Sequence, residues 1–123
     1  MRIVAAAACG SILAFGTAWA GEVRVVDAEF EQRGGDWQVS VTLEHADTGW
    51  EHYADAWRIL DEDGEVLATR TLHHPHAQEQ PFTRSLSSVT LPSSGTLYIE
   101  GHDTVHGWSD RMAVDLSAIQ AQR

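Results

Sequence analysis

The sequence predicts an all-β protein, a seven-stranded immunoglobulin- or fibronectin-III-like β-sandwich. Two observations carry the prediction. Short runs in which apolar and polar residues alternate recur at intervals of roughly 8–12 residues, the spacing of sandwich strands. Between them stand turn sequences rich in glycine and proline, including "QRGGD", "DEDG" and "PSSG".

Each run is justified by its own pattern. "VRVVDAEF" (Val23 to Phe30) is followed by a Gly-Gly turn. In "WQVSVTLEH", Trp37, Val39, Val41 and Leu43 alternate with Gln38, Ser40, Thr42 and Glu44, the period of a half-buried strand. "ADAWRIL" (Ala54 to Leu60) runs into "DEDG", a strong hairpin turn, and "EVLATRTLHH" returns from it. "FTRSLSSVTL" and "TLYIEGHD" flank "PSSG", and "RMAVDL" (Arg111 to Leu116) closes the set. The last seven residues, 117–123, read as a frayed tail. The competing arrangement is a small barrel, or a sheet with a helix in "GWEHYADAWRIL", which has the length for about three helical turns.

The first twenty residues are set apart. "MRIVAAAACGSILAFGTAWA" has one positive charge, an apolar run to Phe15 and an Ala-x-Ala end, the layout of a secretory leader cleaved before Gly21. An uncleaved anchor is the alternative, because residues 3–20 carry no charge. Lipidation at Cys9 is disfavoured, since apolar residues continue well past it. Residues 21–123 are then a single β-sandwich domain of 103 residues, large enough for one modest core. The one cysteine leaves with the leader, so the processed chain has neither disulfide nor thiolate, which suits a periplasmic or secreted protein held by its core.

Loss of Arg2 takes the formal charge from −10 to −11. Such a charge argues against nucleic acid or an anionic membrane as partners and favours cations or basic proteins. The chain has no lysine and no asparagine, hence no lysine nucleophile and no N-glycosylation acceptor.

The histidines carry the functional signal. With consecutive strands antiparallel, the loops after the second, fourth and sixth strands lie at one pole. Those loops hold all seven histidines: His45 and His52, then His73, His74 and His76, then His102 and His106. The opposite pole holds the Gly-Gly, Asp-Glu-Asp-Gly and Pro-Ser-Ser-Gly turns and none. Random placement would seldom segregate them so. Imidazole is the commonest protein ligand for zinc and copper, and a site needs several brought together on a rigid scaffold.

His74 and His76, on either side of Pro75, are expected to project to the same side, and His102 and His106 to lie close enough to chelate. The expected ligands are therefore drawn from His45, His52, His74, His76, His102 and His106. Asp47, Glu51 and Asp103 are expected to complete the shell or to orient a histidine from behind. Without a mature cysteine, and with Met112 the one methionine left, the donor set points to copper(II) or zinc, with nickel or iron(II) behind them. A pH-responsive surface is the other use of clustered imidazoles.

Among the aromatics, Trp37 and Trp57 are expected in the core. Trp50, Tyr53 and Trp108 stand in or beside the histidine loops and offer a surface for a partner. Arg84 is expected to pair with an acidic neighbour. No nucleophile elbow, phosphate-binding glycine loop or spaced metalloenzyme motif is present.

The stretches "HADTGWEHYADAWRIL", "DGEVLATRTLHHPHAQEQPFTRSL" and "HDTVHGW" resemble small exported bacterial proteins that are uncharacterised, and the resemblance brings no activity with it. In size, export and β-class the chain is also similar to the small periplasmic copper-binding sandwiches of the CopC type. That family uses a histidine at the mature N-terminus, whereas this chain is expected to start Gly21-Glu22. The expected function is a periplasmic carrier, buffer or accessory factor for a divalent transition metal. The alternative is a non-catalytic module docking an envelope protein through the same loops, and a metalloenzyme ranks third.

Overall fold

In a computed structural model, residues 2–6 and 22–121 are described. They form eight strands and one short helix: β1 (Arg2–Ala6), β2 (Arg24–Arg33), β3 (Asp36–Glu44), β4 (Ala54–Leu60), β5 (Val66–Thr71), β6 (Phe82–Val89), β7 (Thr96–Asp103), β8 (Gly107–Asp115) and α1 (Leu116–Ala121). The strands make two antiparallel sheets, ordered β1-β2-β3-β6 and β5-β4-β7-β8. The domain is the sandwich that the alternation implies. Strand β1 pairs with the outer edge of β2, and it lies inside the expected leader. The expected cleavage point before Gly21, and Cys9, lie outside the described residues.

Strand β3 shows why the pattern works. Its Trp37, Val39, Val41 and Leu43 are buried, and the residues between them are not. On the outer face Ser40 and Thr42 meet Ser85 and Thr83 of β6, each pair 2.7 Å apart between hydroxyl oxygens. From the opposing sheet, Ala54, Trp57 and Ile59 of β4, Leu97 and Ile99 of β7, and Met112 and Val114 of β8 fill the other half of the core. Burying a residue of this size fully is worth about 1.5–3 kcal/mol, so the facing rows supply the main driving force.

The turn after β4 is built by Asp61. Its carboxylate accepts from the N–H groups of Asp63 and Glu65, each at 2.9 Å, and its carbonyl accepts from Gly64. Gly64 takes φ +84°, a conformation that favours glycine. The stretch that was open to a helical reading is extended instead: Gly49 and His52 form an isolated bridge, and β4 starts at Ala54.

Two boundaries differ from expectation. The last strand begins at Gly107 rather than Arg111, because residues 104–106 suffice to turn the chain when Gly107 takes φ +81°. The segment expected to fray begins with α1, which drives Leu116 and Ile119 into the core at 0% and 1% exposure. The i, i+3 apolar pair that seals the sandwich is too short to stand out as a helix by periodicity.

Among the described glycines, Gly101 has the closest approach to the opposing layer. A Cβ there would lie 2.4 Å from Cγ1 of Val23, and the Gly101 N–H donates to the buried Ser109 hydroxyl at 3.1 Å. Gly101→Ala is therefore expected to lower stability by about 1–3 kcal/mol, read as a lower urea midpoint with an unchanged slope.

Candidate functional site

The pole reached by the ends of β3, β5 and β7 gathers the histidines as the topology requires, but it sorts them into three groups rather than one. The first is buried and mixed in chemistry. His45 follows β3, Asp103 ends β7, and His52 stands in the β3–β4 loop. One donor atom from each lies within 4.8 Å of the others. His45 Nε2 is 3.3 Å from Asp103 Oδ2, and His52 Nε2 is 3.5 Å from Asp103 Oδ1. The side chains of His45 and Asp103 are fully buried, while that of His52 remains 23% exposed.

Asp47 sets the state of His45. This buried carboxylate accepts the N–H of Ala54 at 3.1 Å and that of His76 at 2.6 Å. It also faces His45 Nδ1 at 2.5 Å. A carboxylate already accepting two amides makes Nδ1 the donating nitrogen of His45. The Nε2 lone pair is thereby turned toward Asp103, the carboxylate–histidine arrangement that orients a metal ligand. Gln80 locks the same backbone, since its Oε1 accepts the His45 N–H at 2.9 Å.

Asp103 is held as an anion. Burial alone would push its carboxyl up. The backbone N–H groups of His106 and Val105 and the His106 side chain outweigh that and leave it below the usual carboxylate value. Its Oδ1 accepts those two amides at 2.5 and 2.8 Å. His106 Nδ1 lies 3.1 Å from Oδ2 and 3.2 Å from Oδ1. Asp103 converges with His45 and His52 on one point, and His106 supports that carboxylate from the solvent side.

Thr104 staples the two loops that carry these residues. Its N–H donates to the Tyr53 carbonyl at 3.1 Å, and its hydroxyl donates to the Glu51 carbonyl at 3.1 Å and accepts the Tyr53 N–H at 3.2 Å. The sequence offered no signal for Thr104 or Gln80, because neither residue type marks a ligand.

The second group is His74 and His76, with ring centroids 4.8 Å apart and His76 stacked on Phe82 at 4.0 Å. The third is His102, which does not approach His106 as a chelating partner. It lies on the outer face of the second sheet, Nδ1 2.5 Å from Asp55 Oδ1 and its ring 4.7 Å from Trp108. The reason is strand alternation. Asp103 and His102 are adjacent on β7, so one points to the core and the other away. The same face holds Arg58, 3.8 Å above the Trp108 ring, and Glu100, which pairs with Arg58 and Arg111.

The remaining candidates disperse. His73 is exposed, and the Glu51 side chain stands outside the buried group. Trp50, at 65% exposure, meets Tyr53 edge-on at 5.5 Å, whereas Trp108 belongs to the outer face and not to that pair. Arg84 does reach Glu79, at 3.3 Å.

What this pole can do is hold a cation. Metal–ligand bonds of about 2.0–2.2 Å at tetrahedral angles separate neighbouring donor atoms by about 3.3–3.5 Å. The separation of His45 Nε2 from Asp103 Oδ2 falls at that edge length, and His52 Nε2 lies 3.5 Å from the other oxygen, Oδ1. Two imidazoles and a carboxylate suit zinc or another divalent first-row ion, and the carboxylate makes the set harder than an all-histidine one.

No family model matches the chain. It is 39% identical over 97 residues to a protein of Halomicrobium mukohataei described as a putative lipoprotein. The match covers 76% of this chain and 47% of that protein, so the chain spans about half the length of the relative. Among solved structures, a hypothetical protein of Pyrococcus horikoshii OT3 superposes with a TM-score of 0.55 at 19% identity, covering 77% of this chain and 89% of that one. That likeness is one of fold. Neither comparison carries a link to CopC-type proteins.

His76 gives the pole a pH signature. Its pKa lies below the ordinary 6.5, first because it is buried and then because Arg84 and His74 stand nearby; Asp47 and Glu79 act in the opposite direction. A depressed folded-state pKa contributes stability that is complete above about pH 6.5 and is lost as pH falls toward the folded value. His76→Leu is expected to shrink the drop in urea midpoint between about pH 7.5 and about pH 5.5, while the same comparison with exposed His73→Leu leaves that drop unchanged.

Proposed function

We propose that this chain is an envelope metal-binding protein that holds zinc or copper(II) through His45, His52 and Asp103 as a carrier, buffer or accessory factor. One observation supports it above the others. The Nε2 of His45 and the carboxylate of Asp103 lie 3.3 Å apart, with both side chains fully buried. Two such groups are held together there only when a proton or a cation lies between them. His52 brings a third donor to the same point from the solvent side, which gives an ion a way in.

The location draws on two further features. The leader layout of residues 1–20 and the lipoprotein description of the relative both support export and an envelope location, with the periplasm as the finer reading. The thiol-free donor set accords with an oxidising compartment.

A second reading rests on exposed Trp50, set edge-on against half-buried Tyr53 beside His52, with Val105 59% exposed on the neighbouring turn. Here the pole docks an envelope protein, and the histidines serve the architecture of the contact. Trp50→Ala would then abolish capture of that partner while leaving metal affinity intact.

The test is titration of the metal-stripped full chain with zinc and with copper(II). Binding tighter than about 10 µM is expected, falling at least about tenfold in His45→Ala, His52→Ala and Asp103→Asn. Binding weaker than that limit, or indifferent to all three changes, overturns the metal reading. Asp47→Asn, which leaves volume intact but turns the His45 ring, is expected to cost about 10–100-fold in affinity, measured by competition with a chromophoric chelator.

A further inference from the structure

We propose that His74 and His76 form a second metal site, separate from the buried group, in which two imidazoles and solvent hold an exchangeable copper(II) or zinc ion. The starting point is an unsatisfied side chain. His76 is 6% exposed, and neither of its ring nitrogens has a hydrogen-bond partner among the described residues. Leaving a buried polar atom unpaired costs about 1–3 kcal/mol, so a ring kept this way calls for a ligand.

The ring has little freedom to find another partner. Its backbone N–H is committed to Asp47, and its carbonyl accepts from Gln80 Nε2 at 3.0 Å and from the Glu79 N–H at 3.2 Å. One ring face is packed on Phe82, with the two planes 12° apart. One nitrogen of a neutral imidazole carries a lone pair free for a cation, and neither nitrogen of His76 is used elsewhere among the described residues.

His74 supplies the second donor and the way in. It is exposed, its ring centroid is 4.8 Å from that of His76, and Pro75 fixes the backbone between them. Its Nδ1 lies 3.3 Å from the Pro75 carbonyl; donation there leaves the lone pair on Nε2. The charged groups facing the pair are Asp47, Glu79 and Arg84, the last two joined to each other at 3.3 Å.

This pair is distinct from the first group. His45, His52 and Asp103 cluster without either histidine, and the two sets meet through Asp47, which faces His45 Nδ1 with one oxygen and accepts the His76 N–H with the other. With two protein donors rather than three, the second site is expected to be the weaker and faster to exchange. That suits a loading position at the mouth of the same pole. The inference stands whether or not the buried group binds metal.

Titrating the metal-stripped full chain with copper(II), followed by calorimetry and electron paramagnetic resonance, separates the possibilities. Two equivalents are expected, in a tighter and a weaker class, the weaker with a two-nitrogen signature. His74→Ala changes an exposed side chain, so the fold, checked by circular dichroism, should persist while the weaker class loses at least about tenfold in affinity. His73→Ala should leave it unchanged, and so should His52→Ala with Asp103→Asn. A single equivalent insensitive to His74→Ala, or a weaker class that follows His73 instead, overturns the second site. Loss of the tighter class alone would count against the buried group and leave this proposal standing.

Discussion

The buried carboxylate of Asp47 is the constraint on which the histidine pole depends. It meets three pieces of chain: the end of β3 through His45, the start of β4 through the Ala54 N–H, and, 29 residues away, the loop after β5 through the His76 N–H. A charge with no exposed surface is tolerable only when its oxygens are met by donors. Here the donors are the elements that need joining. The electrostatic requirement of one side chain thus becomes the geometric requirement of the pole, and removing it would release two histidine loops together.

Asp103 solves the complementary problem. Its Oδ1 is saturated by the amides of Val105 and His106, so the turn after β7 closes around an ionised carboxylate. The other oxygen stays directed at His45. Asp47 makes its histidine a donor at Nδ1, and Asp103 presents an anion to the opposite nitrogen. One imidazole is therefore held between two carboxylates, with the inner contact fixed by hydrogen bonding and the outer one close to the edge length of a metal tetrahedron.

How much of this was legible in the sequence follows from the range of each signal. Period-two alternation is a local property of one strand, so Trp37 to Leu43 declared both their strand and their buried face. The pole was legible too, since antiparallel order alone sends alternate loops to one end. The partners of each side chain within the pole were not. They depend on register: alternation along β7 turns Asp103 inward and His102 outward, and only the pairing of β7 with β4 and β8 sets what each of them meets. For the same reason the sequence left both roles open to Asp103, whose carboxylate converges with His45 and His52. Thr104 and Gln80 were invisible because their contacts cross 51 to 53 and 35 residues of chain. Leu116 and Ile119 escaped because two apolar positions are too few to define a helical period.

For the metal site proposed above, the burial gradient across the pole bears on whether the ion would be structural or exchangeable. A structural metal site is closed, its ligands immobile and its shell complete. Here the inner donors, His45 and Asp103, are fully buried and locked by amides, while His52 and His106 keep part of their surface in solvent. The fold itself does not lean on the pole, since the facing rows of β3, β4, β7 and β8 already form a continuous core. Metal binding is then separable from folding, unlike in small domains that collapse only around an ion. A preformed inner half with an accessible outer half lets an ion arrive and leave by moving one or two side chains. That combination favours a protein that exchanges its metal over one that is built on it.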